Sequence, residues 1–261
     1  MSSLNIAATG MLAQQLNVEL ISNNLANMNT TAFKRQRAEF QDLLYQDFLR
    51  VGSNSTDSGT IVPSGIQLGI GVRLGSVYRI TEQGNLVSTN NTYDIAVQGK
   101  GYFRVQLPNN QTAYTRAGNF QLSPTGEIVT TDGFIVQPGL TIPNNATSVT
   151  INASGQVLAK IDGTVTPTTV GQLDLAVFPN EAGLEATGSN LYLETPASGT
   201  ATVGKPGAVG YGTLLQGYVE TANVNAVEEI TSLITAQRAY EMLSRVIETS
   251  DQMSQTLTRI Q

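Results

Sequence analysis

The chain has 261 residues, of which 40% are hydrophobic and only 13% charged, and it contains no Cys, His or Trp. Those absences exclude disulfides, thiolate nucleophiles, cysteine-bound metals and every mechanism that needs an imidazole base. A net charge of −6 with a pI of about 4.7 speaks against nucleic-acid binding, because phosphate contacts need a basic surface.

At the N-terminus Leu4, Met11, Val18 and Leu25 fall seven apart, with Ala7, Gln14, Ile21 and Met28 as a second series three residues on. Such an a/d heptad pattern predicts a helix from about Leu4 to Asn27, roughly 36 Å long at ~1.5 Å per residue. Leu12, Leu16 and Leu20 widen the apolar stripe beyond what one helical partner covers. No basic n-region with an apolar run marks a cleaved signal peptide, and nothing has the length and apolarity of a membrane span.

The helix runs into Ser22-Asn23-Asn24-Leu25-Ala26-Asn27-Met28-Asn29-Thr30-Thr31. Asn is costly inside a helix, so the cluster divides between two roles. Asn23 and Asn24 are expected to bond across packed helices, as buried amides do in coiled coils. Asn27 and Asn29 are expected to cap the helix end. Lys34-Arg35-Gln36-Arg37 reads either as a solvated segment beyond a helix C-terminus or as a contact to acidic neighbours in an assembly. Gly52 to Ser64, rich in Ser, Asn and Thr, reads as a long loop.

From residue 69 to about 215 the pattern is β. Gly69-Ile70-Gly71-Val72-Arg73-Leu74-Gly75 resembles a nucleotide-binding loop, yet a strand pattern and not a helix follows it, which makes it a structural turn. Tyr102–Leu107 predicts a strand that breaks at Pro108-Asn109-Asn110 and resumes at Ala113. Gly84, Gly126 and Gly155 each precede a polar residue and two aliphatics, a repeated signal for hairpin turns in which Gly supplies positive φ. Asp94, Glu127, Asp132 and Asp174 are the carboxylates available for hydrolytic chemistry. Asp132 reads first as a turn residue and Asp94 and Asp174 as solvent-facing strand positions, and no spacing pairs any two of them.

From Val224 to Ile260 there is neither Pro nor Gly. Apolar residues recur every three or four positions, including Ile230, Tyr240, Leu243, Val246, Met253 and Leu257, and predict a second long helix. The expected fold class is α+β. Paired terminal helices, coiled-coil-like, form a discontinuous domain (1–30 with 222–261). A connecting segment with an extended loop (31–68) leads to an inserted antiparallel β-domain (69–221). About ten apolar side chains left on the helix pair, each worth ~1.5–3 kcal/mol when fully buried, drive association with further copies. No catalytic residue, cofactor, metal site or small-molecule substrate is expected. A cell-wall carbohydrate-active enzyme built on the carboxylates and a monomeric binding module on the β-domain are the readings from other classes.

Both ends carry a further signal. Ser22-Asn23-Asn24-Leu25-Ala26-Asn27, Asn29-Thr30 and Phe33-Lys34-Arg35 closely resemble the N-terminal signature of bacterial flagellar rod and hook proteins. Gly217-Tyr218-Val219-Glu220-Thr221, Asn223-Val224-Asn225 and Gln237-Arg238-Ala239-Tyr240-Glu241 resemble the C-terminal signature. One departure is Ala32, where the family usually has Gly before the aromatic. Phe33 to Gln46 and Pro63-Ser64-Gly65-Ile66-Gln67, with Gly69 and Gly71, are most similar to the distal-rod branch; proximal rod and hook subunits are the rivals within the family. The resemblance implies a homopolymeric helical tube spanning the periplasm, which transmits torque and surrounds an export channel. It implies proximal rod and hook proteins, the basal-body rings and the flagellar type III export apparatus as partners, and export without a cleaved signal. It also associates the stretch from about Asp47 to Ser64 with a straight, stiff rod; wedging of that stretch between neighbouring copies, which blocks the sliding that bending needs, is the expected mechanism.

Overall fold

The computed structural model describes residues 2–49, 65–163 and 166–260. Helix α1 is Ser2–Ala26 and helix α2 is Ala226–Ile260. Among the described residues, twenty strands lie between them. β1 Gln36–Asp42, β2 Tyr45–Leu49, β3 Ile66–Gly69 and β4 Val72–Arg79 come first. They are followed by β5 Leu86–Ser88, β6 Ile95–Gln98, β7 Tyr102–Gln106, β8 Thr112–Thr115, β9 Gln121–Leu122, β10 Ile128–Val129, β11 Ile135–Val136 and β12 Ala146–Ile151. The last are β13 Gln156–Ile161, β14 Thr168–Gln172, β15 Leu175–Val177, β16 Glu185–Gly188, β17 Leu191–Leu193, β18 Thr202–Gly204, β19 Thr213–Gln216 and β20 Tyr218–Glu220. The fold is α+β.

The chain forms two compact units, one of Met1–Ala26, Gln36–Tyr78 and Asn225–Gln261, the other of Asn27–Arg35 and Arg79–Val224. In the first unit α1 packs along α2 and also touches β1. Gly10 permits the helix contact, since a Cβ there would lie 3.1 Å from Leu243 Cδ1. β1 pairs with β4 and β2 with β3, so much of the stretch expected to be a connection is strand. Its apolar residues at Ala38, Phe40, Tyr45 and Phe48 are compatible with extended pairing. The long loop expected at 52–64 lies outside the described residues.

The second unit is built from antiparallel strands. A nine-stranded sheet runs β16-β17-β8-β7-β11-β10-β9, with β15 and β18 joined to it through β7. β12, β13 and β14 make a smaller sheet. One buried cluster contains Ile95, Val97, Phe103, Phe120, Val157 and Leu175, almost wholly inaccessible, and a second, aromatic-rich one contains Tyr102, Tyr114, Phe178, Leu184 and Tyr192.

Four connections in this unit share one hydrogen-bond pattern. At 107–111, 123–127, 130–134 and 152–156, the fourth residue donates its N–H to the first residue's carbonyl, and the first donates to the fifth. The fourth residue takes positive φ: Asn110 at 60°, Gly126 and Gly133 at 84°, Gly155 at 80°. That is a type I turn closed by a left-handed residue, the usual longer hairpin connection. Gly126 and Gly155 therefore do what the repeat suggests. Gly84 does not: its φ is not in the left-handed region, and a Cβ there would lie 2.0 Å from the carbonyl oxygen of Thr221. It is Gly because another backbone passes against it.

Asp94 also departs from expectation. It is buried, with Thr89 Oγ1 donating to it at 2.5 Å and Asn91 Nδ2 at 3.0 Å. A carboxylate satisfied by local hydroxyl and amide donors can leave solvent without a cation.

Candidate assembly surface and the buried charge cluster

The first unit carries an incompletely covered apolar surface. Among the stripe residues of α1, Ile21 is buried, while Leu4, Met11, Val18 and Leu25 are half-buried. On α2, Leu243 is half-buried and Ile230, Tyr240, Val246 and Met253 are exposed. Leu257 lies within α2, its side chain outside the described residues. Ala7 and Ala13 on α1 and Ala236 on α2 are nearly inaccessible, and Gly10 faces the Leu243 side chain across the pair. Leu12 keeps 61% of its surface exposed, Met242 62% and Met253 60%. Val18, Tyr240 and Gln237 line an open groove of about 330 Å³ together with Gln15, Glu19 and Glu241. Gln237 and Arg238 are both exposed.

Asn24 sits at the other end of the same pair. It is buried, and its Nδ2 donates to the Gln36 carbonyl at 2.9 Å and to Glu229 Oε2 at 3.3 Å. Its Oδ1 accepts the Gln36 N–H at 2.8 Å. One amide thus ties the last turn of α1 to the first turn of α2 and to the start of β1. Asn225 caps α2, its Oδ1 accepting the Val227 N–H at 3.1 Å, and Glu228 and Glu229 in that first turn suit the helix dipole. Asn23 is exposed and Asn27 half-buried. Asn27 turns the chain after α1, its carbonyl accepting the Thr30 N–H at 3.0 Å and its Oδ1 the Thr30 hydroxyl at 3.2 Å.

The second unit holds the other signature residues. Lys34 is buried, contrary to a solvated basic segment, and its Nζ donates to Glu220 Oε1 at 2.6 Å and to the Glu82 carbonyl at 2.7 Å. Arg116 Nε donates to Glu220 Oε2 at 2.6 Å, and its terminal nitrogens donate to the carbonyls of Gly99 and Gly101 at 2.5 and 3.1 Å. Burial pulls the Lys34 ammonium below the usual lysine value, while the Glu220 carboxylate pulls the other way. Desolvation disfavours the charged form and the carboxylate restores it. Nearby, burial beside the Glu181 carboxylate pushes the Tyr102 phenol above its ordinary range.

Asn223, half-buried, bonds three backbone groups. Its Oδ1 accepts the Arg35 N–H at 2.8 Å, and its Nδ2 donates to the carbonyls of Ile80 and Glu82 at 2.8 and 3.0 Å. Phe33 and Val224 flank these contacts, both half-buried, and the Asn223 N–H reaches the Phe33 carbonyl at 3.4 Å. Ala32 occupies the left-handed region at φ 56°, where Gly would be unstrained, and is itself buried. Arg116 carries no sequence signal of its own; it is one isolated base between Thr115 and Ala117.

Among the described residues no group of carboxylates is placed to hold a metal, and no helix is long and apolar enough to cross a membrane. Glu127 contacts Thr125 Oγ1 at 3.1 Å, and Asp132 sits exposed in the turn at 130–134.

Comparison with known proteins agrees along the whole chain. Residues 4–34 match the model of flagella basal body rod proteins, residues 96–159 the D1 domain of the flagellar hook proteins FlgE/F/G, and residues 215–260 the C-terminal region of the flagellar basal body rod FlgEFG proteins. The flagellar basal-body rod protein FlgG of Caulobacter vibrioides is 62% identical over 260 residues, covering 100% of this chain and 99% of that one. FlgG of Buchnera aphidicola subsp. Acyrthosiphon pisum is 50% identical over 99% of both chains. FlgG of Bacillus subtilis is 38% identical over 99% of this chain and 98% of its own.

Proposed function

Because the chain belongs to the flagellar basal-body rod protein family, we propose that it polymerises into the stiff, tubular distal rod, with its helix pair forming the wall. It is a structural subunit of the flagellar basal body and not an enzyme. The family implies self-assembly and association with other rod and hook components. On this reading the tube spans the periplasm, contacts the proximal rod, the hook and the surrounding rings, and is exported through the flagellar apparatus without a cleaved signal. Torque passes along the tube and export substrates pass through it.

The observation that carries the reading is the apolar surface left on the helix pair. α1 has a single charged side chain, Glu19, in its 25 residues, while Leu12 and Leu16 on it face solvent. A monomer has no use for that pattern, and copies packed side by side would cover it. In the tube the apolar stripes, Leu4, Met11, Val18, Ile21 and Leu25 on α1 and Leu243, Val246 and Met253 on α2, contribute to the wall and to the contacts between copies.

The test replaces Leu12, Met242 and Met253 with Ser and measures the critical concentration for polymer by sedimentation. Each side chain still exposes about three-fifths of its surface, so burial between copies is worth ~1–2 kcal/mol apiece. Losing all three raises the critical concentration on the order of 100-fold or more. A change below threefold would refute the reading.

A further inference from the structure

The second unit is crossed at its boundary by three stretches of chain, near 27–35, 79–82 and 220–224, and a single carboxylate gathers them. Glu220, on the third stretch, accepts from Lys34 on the first and from the Gly84 N–H just beyond the second, at 2.6 and 2.9 Å. Lys34 in turn donates to the Glu82 carbonyl. Asn223 repeats the arrangement with a neutral amide, bonding Arg35 on one stretch and Ile80 and Glu82 on another. Backbone bonds close the bundle: Ile80 N–H to the Arg35 carbonyl at 2.9 Å, Ala32 N–H to the Glu220 carbonyl at 2.8 Å. Arg116 fastens it to the loop between β6 and β7.

A buried ion cluster contributes little net stability over well-packed apolar residues of the same size. What it supplies is direction, because short charge-assisted bonds hold atoms in one geometry, whereas apolar side chains slide and repack. The geometry points to a joint: Glu220, held by Lys34 and Arg116 and seconded by Asn223, locks the boundary stretches so that twisting force on them is carried into the β-rich unit without slack. This rests on the rod reading, under which the subunit works in torsion.

The test compares Glu220→Gln with Val157→Ala, a cavity in β13 remote in sequence from these stretches, in the full-length chain. Hydrogen exchange in Glu220→Gln should speed on the order of 100-fold at Ala32, Arg35, Ile80, Gly84 and Asn223, while β7 and β13 stay within a few-fold. Val157→Ala should show the reverse. Filaments of Glu220→Gln should be more flexible than those of the parent and of Val157→Ala, as read from their persistence length in electron micrographs. Uniform loss of protection, or filaments as stiff as the parent's, would overturn the joint. A parent chain that forms no filaments would contradict the rod reading and leave exchange to judge the joint. If Glu220→Gln does not fold, Asn223→Ala, which keeps the ion pairs and removes three hydrogen bonds, takes the same test with the same two outcomes.

Discussion

Replacing Asn24 with Asp changes one atom and inverts a site. Oδ1 would still accept the Gln36 N–H, but the second oxygen would face the Gln36 carbonyl at 2.9 Å and Glu229 Oε2 at 3.3 Å, where Asn donates to both. Two hydrogen bonds are lost, worth ~1 kcal/mol for the neutral one and ~2 kcal/mol for the one to the carboxylate. Two carboxylates at such a separation repel by about 5 kcal/mol at an effective dielectric constant of ~20. The pair would therefore retain one proton. Holding it at pH 7, against a reference pKa near 4, costs about 4 kcal/mol, and the retained proton restores one of the two hydrogen bonds. The net loss is about 5 kcal/mol at pH 7 and about 2–3 kcal/mol at pH 5. The sign follows from linkage. The pair's folded pKa is raised above its unfolded value, so stability is fully present below the unfolded pKa and drains away as pH rises through the folded one. Both long helices lie in the first unit, so far-ultraviolet circular dichroism melting reads that unit directly. At pH 7 the Asn24→Asp transition should fall by roughly 15 °C, with much of the loss recovered at pH 5. A variant within 3 °C of the parent at pH 7, or one worse at pH 5 than at pH 7, would refute the reasoning.

Two further substitutions test the backbone of the second unit. A Cβ on Gly118 would lie 1.7 Å from the Ile95 carbonyl oxygen, so Gly118→Ala should cost more than ~3 kcal/mol in urea unfolding through displaced strands. Gly133 at φ 84° has open space around it, and Gly133→Ala should cost only about 1 kcal/mol of left-handed strain; equal costs would contradict the distinction. Ala32 at φ 56° is strained but buried, so Ala32→Gly trades about 1 kcal/mol of relief against ~0.8 kcal/mol of lost burial and should be near neutral. Ala32→Val should lose more than 2 kcal/mol, since a β-branched side chain fits neither the conformation nor the space.

The fold class and the two helices are readable from periodicity because both depend on local pattern. Apolar residues at spacings of three and four dictate a helix wherever the chain lies, and Gly126 and Gly155 announce turns because few other residues tolerate that φ. Pairing across long separations leaves no such trace. Gly84 follows the same short pattern as Gly126, yet its reason is Thr221, a residue 137 positions on. Lys34 sits in a run of basic residues that looks solvated, and only the Glu220 carboxylate and the Glu82 carbonyl, each distant in sequence, make its burial tolerable. Asp94 alternates with aliphatics as an exposed strand residue would, but Thr89 and Asn91 satisfy it in place of water. β1 to β3 are hard to read in sequence because they are short: Arg37 and Glu39 alternate with Ala38 and Phe40 over only a few residues, and β3 is four residues long. The signature residues Asn24 and Asn223 are conspicuous in sequence as amides; which backbone groups they bond is decided by strands elsewhere.

In the proposed tube the apolar flanks of the helix pair are covered by other copies. Electron cryomicroscopy of the assembled polymer, at a resolution that traces side chains, measures this most directly. The expected map has the helices at the inner wall, with Leu12, Leu16, Met242 and Met253 packed against apolar side chains of neighbouring copies. A polymer whose wall is formed by the β-rich unit, with those four residues facing solvent, would contradict it.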